Sequence, residues 1–423
     1  MSSSRVIDVV LEPSMPWDVS IQPDRFDRRR TLEHFGLDPS RPVIVVGHQP
    51  TFWHAGILAK FLAADALVER CGGQLVHLVL DGHRGAFGSI EWPDHDQDGS
   101  LRSNIWNVRE VDQQIAMAMQ PACEPEACPP GAPDALGRIA DALRQSAGAS
   151  NAALQQAQAL DLLMDPHVGP RVTITTGDVM ASPSGEALLQ RMLNEAEACC
   201  AAYNKAIASD PTLDIALLGT GELPMWSVDE HSAMRTARVD DPPGTRRFPK
   251  ALWTTALARL VIGDCFVHGL GGLRYDGFME RWITAWLNER PCPMKVASAT
   301  VLLPLGTAED WRAMRQARTA QARRRRHDPA LLRGSGVSDA KATMLQEIEA
   351  LPMNSSERRD AFQRMHETLR AHPAAGAGVL SPEERTRLSQ GEAIATSRTW
   401  AFPLHDAVAI GQLRHDIRSR FEG

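Results

Sequence analysis

A strand–helix–strand unit between residues 43 and 81 constrains the fold more than any other part of the sequence. The run VIVVG (43–47) is short and continuously apolar, which is typical of a strand buried on both faces of a sheet. The segment from Ile57 to Gly72 has the apolar periodicity of a helix, and QLVHLVLD (74–81) resembles a second buried strand. Two strands joined in this way form a parallel βαβ unit, so the sequence predicts an α/β fold.

The rest of the chain divides into parts by composition. Residues 1–306 are predicted to form a Rossmann-like α/β core, with a polar lead-in over 1–40 and a loop-rich and helical insertion around 82–170. Residues 307–372 are charged and periodic, which predicts a coiled-coil-like α-helical hairpin that projects as an arm. Residues 373–423 are expected to return to the core.

Three further elements of the core are predicted, two helices and one strand. A single helix is expected over 182–208, and a buried strand over CFVHG (265–269). A helix is expected to begin at Phe278, in the segment FMERWITAWLN, with Asp276 as its cap.

Composition and charge narrow the range of partners. The chain has 423 residues, is 43% hydrophobic, and carries 45 Lys+Arg against 52 Asp+Glu, for a net charge of −7. This balance argues against general nucleic-acid binding, and no apolar run is long enough to span a membrane. Arg5, Asp8 and Glu12 interrupt the region where a signal peptide needs an apolar core. We therefore expect a cytoplasmic protein that acts on a small-molecule substrate and dimerises through its helical arm.

The loop GHQPTFWHAG (47–56) carries the first candidate site. It follows a buried strand and opens a helix, and ligands of open parallel sheets bind in that crevice. The helix terminus suits a phosphate or carboxylate, and His48 and His54 are expected to bind anions or carry protons. The other candidate anion-binding residues of this region are Gly47, Gln49, Gly56 and Lys60. The alternative is that the two histidines only cap the helix or pack against it.

Loops that follow two other strands carry further candidates. Asp81 and His83 follow the second strand, where Asp81 suits a ribose hydroxyl, an amine or a metal, or else caps a turn. The segment HGLGGLRYD (268–276) offers backbone N–H groups for an anion, or else forms a tight structural turn. Its candidate residues are His268, Gly269, Gly271, Gly272, Arg274 and Tyr275. Its glycine spacing differs from the dinucleotide fingerprint, so NAD is not expected.

Two other motifs are weaker. Glu222 and Trp226 suit a sugar, through hydrogen bonds and stacking, although a tryptophan is more often part of a core. Asp94–Leu101 matches half of a calcium loop but has Ile105 where the bidentate glutamate belongs, and Cys123 and Cys128 lack a second pair of ligands. No metal site is therefore predicted.

The strand VIVVG, the loop GHQPTFWHAGILAK and the acidic-histidine loop after the next strand resemble the bacillithiol-biosynthesis cysteine-adding enzymes. The glycine-rich HGLGG loop and the charged C-terminal helices occupy comparable places. The resemblance covers about half of the chain, and this loop reads Gly-His-Gln where the family usually has Gly-Gln-Gln. It implies a nucleotidylyltransferase-like core, a coiled-coil arm that pairs subunits, and the joining of cysteine to a glucosaminyl-malate acceptor.

These observations lead to one expected function and two alternatives. We expect a ligase or transferase that joins cysteine or a similar amine to an amino-sugar-type acceptor, with His48, His54 and Asp81 as catalytic residues. The residues do not identify a cofactor; ATP, ADP or another nucleotide is the candidate class. Pro50, His54 and Gly56 partly match the phosphate-binding motif of nucleotidylyltransferases, which makes such an enzyme the first alternative. The second is a non-catalytic nucleotide- or sugar-binding scaffold.

Overall fold

The computed structural model describes residues 4–85, 87–96, 100–209, 215–229, 233–327, 337–371 and 381–422. These form two compact units. The first comprises Met1–Trp92, Ile105–Leu303 and Arg398–Gly423, and the second comprises Pro93–Asn104 and Pro304–Ser397. All residues of the candidate site lie in the first unit.

The strands and helices are numbered here in chain order. The strands are β1 (Arg5–Glu12), β2 (Val43–His48), β3 (Gln74–Val79), β4 (Ser89–His95), β5 (Leu101–Asn107), β6 (Arg171–Thr175), β7 (Glu222–Val228), β8 (Met234–Arg238), β9 (Arg247–Pro249), β10 (Cys265–His268) and β11 (Met294–Leu302). The helices are α1 (Arg28–His34), α2 (Ala55–Cys71), α3 (Asp134–Gln145), α4 (Ala152–Met164), α5 (Thr176–Met180), α6 (Pro183–Asn194), α7 (Ala196–Ala208), α8 (Ala251–Leu257), α9 (Leu273–Leu287), α10 (Ala308–His327), α11 (Val337–Glu349), α12 (Ser356–Ala371), α13 (Pro382–Ala395) and α14 (Ala407–Glu422).

The first unit is built on a central, mostly parallel six-stranded sheet. Its strand order is β1-β11-β10-β2-β3-β6, and only β1 runs antiparallel to its neighbour. The predicted βαβ unit is confirmed, because β2 and β3 pair in parallel on either side of α2 in the chain. From β2 the chain builds outwards to β3 and β6, and it later adds β10 on the opposite side of β2. The boundary between β2 and β10 is therefore the point where the winding of the sheet reverses.

Apolar residues cover both faces of this sheet, as the continuous run in β2 requires. Val43 and Val45 pack with the helices α1, α6, α7, α8 and α9 in one buried cluster. Ile44 and Val46, which point to the opposite face, pack with α2, α4 and α14 in another. The result is a sheet layer between two helical layers, which makes the fold α/β.

The second unit is mainly helical. Ile348 of α11 packs against Met365 and Leu369 of α12, and these three side chains are buried together. Trp311 of α10 packs with Ala395 of α13, and its indole Nε1 donates to the Leu305 carbonyl at 2.9 Å. The predicted arm over 307–372 falls on α10, α11 and α12; its residues 328–336 and 372 lie outside the described residues.

Several predicted elements differ from the structure, each for a physical reason. The polar lead-in contains β1, an edge strand in which only Val9 is buried and which has no long continuous apolar run. The loop-rich stretch after residue 82 contains the β4–β5 pair, where Pro93 is tolerated because a two-stranded sheet leaves free edges. The single helix predicted over 182–208 is two helices, α6 and α7, broken at Glu195. The Glu195 carboxylate accepts a hydrogen bond from Trp286 of α9, a tertiary contact that local periodicity does not contain.

The start of α9 is a further correction. This helix begins at Leu273, with Gly272 as its N-cap, and not at Phe278. Asp276 therefore lies inside the helix and does not cap it, so its carboxylate serves another purpose.

No helix in the described part of the chain combines the length and hydropathy that crossing a bilayer requires.

Candidate functional site

A cavity of about 420 Å³ lies at the carboxyl ends of β2 and β10. Gly47 and His48 from the end of β2 and His268 from the end of β10 form part of its wall. These strands are neighbours, and the connections that leave them run to opposite sides of the sheet. In open α/β sheets such a switch point is where ligands bind.

Two helices begin at this cavity. His54 caps α2, and its Nδ1 accepts a hydrogen bond from the Gly56 backbone N–H at 3.0 Å. Gly272 caps α9, whose first turn receives no side-chain cap. Helix N-termini carry a partial positive charge and unpaired N–H groups, so two of them at one cavity favour a phosphate or carboxylate.

Lys60 brings a buried cation to the same place. Its side chain is only 2% exposed, and its Nζ donates to the Gly47 carbonyl oxygen at 2.8 Å. Burial lowers the pKa of Lys60 to about 7, because the charged ammonium group loses its hydration. Near neutral pH this amine can therefore exist in charged and uncharged forms.

Three neutral imidazoles surround the lysine. Burial lowers the pKa of His48 well below its usual value, that of His54 to about 4 and that of His268 to about 3. The positive charge of Lys60 contributes to all three shifts. Near neutral pH these rings therefore hydrogen-bond as uncharged groups.

The tautomers of two of these rings differ. His48 Nδ1 lies 3.1 Å from the Gln49 carbonyl oxygen, which only accepts hydrogen bonds, so Nδ1 carries the proton and Nε2 is a free base. His54 Nδ1 accepts from Gly56, so its proton lies on Nε2. His268 Nδ1 has its shorter contact, 2.8 Å, with the Gly269 N–H. The site thus contains both an imidazole that can accept a proton and one that can donate a hydrogen bond.

Two glycines are required by close packing. A Cβ atom on Gly272 would lie 1.7 Å from Cε1 of the His268 ring. A Cβ atom on Gly56 would lie 2.6 Å from the Ala299 carbonyl oxygen of β11. Any larger residue would displace the histidine in the first case and the α2 N-terminus in the second.

Most of the residues predicted from the sequence come together at this cavity. Those that line it are Gly47, His48, Gln49, His54, Gly56, Lys60, His268, Gly269, Gly271, Gly272 and Tyr275. The predicted residues that are not part of its lining are Asp81, His83, Glu222, Trp226 and Arg274.

The Asp81 carboxylate is hydrogen-bonded within the fold. Its buried carboxylate accepts hydrogen bonds from the Thr176 hydroxyl and from the Gly177 N–H, the latter at 3.2 Å, and so holds the start of α5. Burial raises the pKa of Asp81, while these hydrogen bonds oppose the shift. The His83 side chain is partly buried, and its backbone carbonyl accepts from Met117. Neither residue lines the cavity.

The three remaining residues lie on other surfaces. Trp226 of β7 is covered by two cations, Arg84 at 5.3 Å and Lys250 at 4.4 Å from the ring centroid. Glu222 accepts a hydrogen bond from the Gly219 N–H at 2.8 Å. Arg274 lies exposed on the first turn of α9. A sugar that stacked on Trp226 would have to displace Arg84 or Lys250.

The cavity also contains polar residues that the sequence analysis missed. Thr254 and Thr255 come from α8, and Asp276 from α9. Ser298 of β11 and Arg398, a hundred residues further along the chain, are joined by a hydrogen bond of 3.4 Å. No local motif marks these positions, since the sheet and the C-terminal segment bring them to the site.

Within the described ranges, no cluster of three or more His, Cys, Asp or Glu side chains is suited to hold a metal ion. No family model matches this chain, and no curated protein shows significant similarity to it. The function is therefore inferred from the cavity itself.

Proposed function

We propose that the protein is a small-molecule ligase or transferase that joins an amine to an anionic acceptor in this cavity. The observation that carries the proposal is the position of Lys60, a buried amine beside the N-termini of α2 and α9. An anion would be held there by Lys60, by Arg398 and by backbone N–H groups. The sequence resemblance makes cysteine the proposed amine and an amino-sugar-type molecule the proposed acceptor.

The side chains supply the groups that such a reaction needs. His48, with Nε2 unprotonated, can accept a proton as the amine attacks. His54, with its proton on Nε2, can donate a hydrogen bond to an oxygen that gains negative charge. Lys60 stabilises the same charge when it is protonated. Together these roles describe acid–base catalysis.

We further propose that the sheet is a Rossmann-like nucleotide-binding core and that ATP, ADP or another nucleotide is the group that it binds. Two helix N-termini and Lys60 at the switch point fit the phosphates of such a group. A bound nucleotide would supply a phosphate leaving group. The residues named above would orient it and exclude water from the cavity.

A nucleotidylyltransferase is the second candidate, supported by His54 and Gly56 at the N-terminus of α2. One experiment separates the candidates: L-cysteine and glucosaminyl malate are incubated with the protein, with and without ATP. Mass spectrometry then follows the joined product, and a coupled assay follows pyrophosphate. A joined product supports the ligase or transferase. Pyrophosphate release from nucleoside triphosphates alone selects the second candidate, and binding without turnover selects a scaffold.

We also propose that helices α10–α12 form a coiled-coil-like arm through which two subunits pair. Phe362 of α12 is about half exposed beside His366, which leaves an apolar ring available to a second copy. Light scattering should report a dimer for the full chain and a monomer for Phe362→Glu. A monomeric parent protein would refute the pairing without affecting the cavity.

A further inference from the structure

Asp276 occupies an unusual position in the cavity wall. It is the fourth residue of α9, and it lines the cavity together with Lys60 and His268. It is only 2% exposed. Because α9 begins at Leu273, the carboxyl group of Asp276 does not cap the helix, and its burial needs another explanation.

One oxygen of this buried carboxyl group lacks a partner. Asp276 Oδ2 has no hydrogen bond to any described residue. Arg259 is close enough to act on it electrostatically. Its Nε donates to the Cys292 carbonyl oxygen and its Nη2 pairs with Glu280, while its Nη1, like Asp276 Oδ2, has no hydrogen-bond partner among the described residues. Burying an unpaired carboxylate is unfavourable, so a site that retains one has a partner for it in another state.

Burial, together with the charges of Arg259 and Glu280, holds the pKa of Asp276 near neutral pH. Burial raises the pKa of Asp276 to about 7; Arg259 opposes this shift and Glu280 adds to it. The other titratable or charged side chains that line the cavity are His48, His54, Lys60, His268, Tyr275 and Arg398. On α7, which packs against α9, Tyr203 and Cys199 face Trp282. The segment ALWTTAL of α8, which also packs there, contains no titratable side chain.

We propose that Asp276 is a catalytic residue that binds the amino group of the substrate and accepts a proton from it. This assignment rests on the proposed function. The carboxylate pairs with the substrate ammonium group, one N–H bond breaks, and an O–H bond forms on Asp276. The nitrogen keeps the electron pair and becomes nucleophilic, and His48 remains available for the second proton that it must lose. The partner of Asp276 is a cation, because the N-termini of α2 and α9 and Lys60 provide the anion-binding groups of the cavity.

The test measures binding of amine and carboxylate probes separately. Asp276→Asn keeps the side-chain size and removes the charge. Glu280→Gln is the matched control, since it makes the same change one turn further along α9, outside the cavity lining. Calorimetry would compare cysteamine, which has no carboxylate, with 3-mercaptopropionate, which has no amine. We expect Asp276→Asn to weaken cysteamine binding about tenfold or more, since it removes a charge-assisted hydrogen bond. Binding of 3-mercaptopropionate should not weaken in either variant, because removing a negative charge does not disfavour an anion.

The pH profile separates a direct role from a structural one. In the parent protein, cysteamine affinity should rise as Asp276 ionises, around pH 7. Asp276→Asn should reduce this rise to the part that comes from Lys60, which loses its positive charge over the same pH range. Glu280→Gln should only move it to lower pH, because removing a negative charge lowers the pKa of Asp276. Asp276→Glu, which keeps a carboxylate, should retain the rise, and this would show that the loss in Asp276→Asn follows the charge and not a weakened fold.

The outcomes distinguish this assignment from the proposed function. Unchanged cysteamine binding and an unchanged pH profile in Asp276→Asn overturn the assignment, even if the parent joins cysteine to its acceptor. Asp276-dependent cysteamine binding in a parent that joins nothing supports the assignment and refutes the ligase. A parent that binds no cysteamine refutes the assignment, and the joining assay alone decides the ligase.

Discussion

Lys60 Nζ donates to the Gly47 carbonyl oxygen at 2.8 Å, which links the second turn of α2 to the end of β2. An ammonium group has three protons, and this is its one hydrogen bond to the described part of the chain. No carboxylate pairs with Lys60 within the described residues. A cation buried in this way destabilises the folded state. Such destabilising groups are typical of residues retained for function.

Lys60→Met should separate activity from stability. Methionine fills a similar volume and needs no hydration, so we expect unchanged or increased stability. Turnover should fall on the order of 10²-fold, because the variant loses the charge that stabilises an anion in the cavity. Melting temperature and turnover are measured on both proteins. Full activity in the variant would show that Lys60 is not part of the site.

The same residue predicts a pH dependence of folding. The pKa of Lys60 is about 7 in the folded protein and about 10.4 in an unfolded chain. Between these values the unfolded chain binds more protons, so stability rises with pH, by about 1.4 kcal/mol per pH unit at most for this one group.

This dependence is best measured between pH 7 and about 8.5, where ordinary cysteines begin to ionise. Above that range, residues such as Cys265, whose pKa burial raises to about 12, have the opposite effect. Urea denaturation of the parent and of Lys60→Met, at both ends of the range, tests the prediction. Equal slopes for the two proteins would contradict it.

His54 is predicted to act both as a helix cap and as a hydrogen-bond donor. His54→Ala removes both functions and should cost about 1 kcal/mol of stability through the lost cap. His54→Ser can cap α2 but has no Nε2–H, so it should keep the stability and still lose activity, on the order of 10²-fold. Denaturant unfolding and turnover are compared across the three proteins. If activity is lost only where stability is lost, in both His54→Ala and His54→Ser, capping α2 is the only role of His54.

His54 also predicts sensitivity to acid. Its pKa is about 4 in the folded protein and about 6.5 in an unfolded chain, so the unfolded chain binds more protons between those values. The stability that depends on the neutral ring is therefore present above about pH 6.5 and is lost as the pH falls towards 4. His54→Ser should show a shallower loss over this range, measured by urea denaturation. An identical loss in parent and variant would contradict the prediction.

The core of the site could be predicted from the sequence because it is local. His48, His54 and Lys60 follow one apolar strand within a few residues, and His268 follows another. Apolar runs identify parallel strands, and the carboxyl ends of parallel strands meet at one edge. Asp81 was expected at the same edge because it follows β3, but its carboxylate holds the start of α5 instead.

The rest of the site depends on tertiary structure. Arg398 reaches the cavity beside Ser298 from a segment about a hundred residues away in the chain. Asp276 faces the cavity because α9 begins five residues earlier than its apolar pattern indicates. The edge strand β1 was missed because it has only one neighbour and few buried residues. Contacts between residues that are distant in the chain leave no local pattern in a single sequence.

Gly271 and Gly272 provide a matched pair that tests how closely the loop after β10 must pack. A Cβ atom on Gly272 would overlap the His268 ring, whereas a Cβ atom on Gly271 would meet nothing within 4 Å. Gly272 has φ −84° and ψ −23°, which alanine adopts without strain, so any effect of Gly272→Ala comes from the overlap.

We expect Gly272→Ala to lose about 1–3 kcal/mol of stability, as overpacked sites do, and to lose activity because His268 is pushed from its place. Gly271→Ala should stay within about 0.5 kcal/mol of the parent and remain active, since its backbone N–H is kept. Urea denaturation and turnover of both variants provide the measurement. If the two alanines behave alike, the contact between His268 and Gly272 does not shape the cavity.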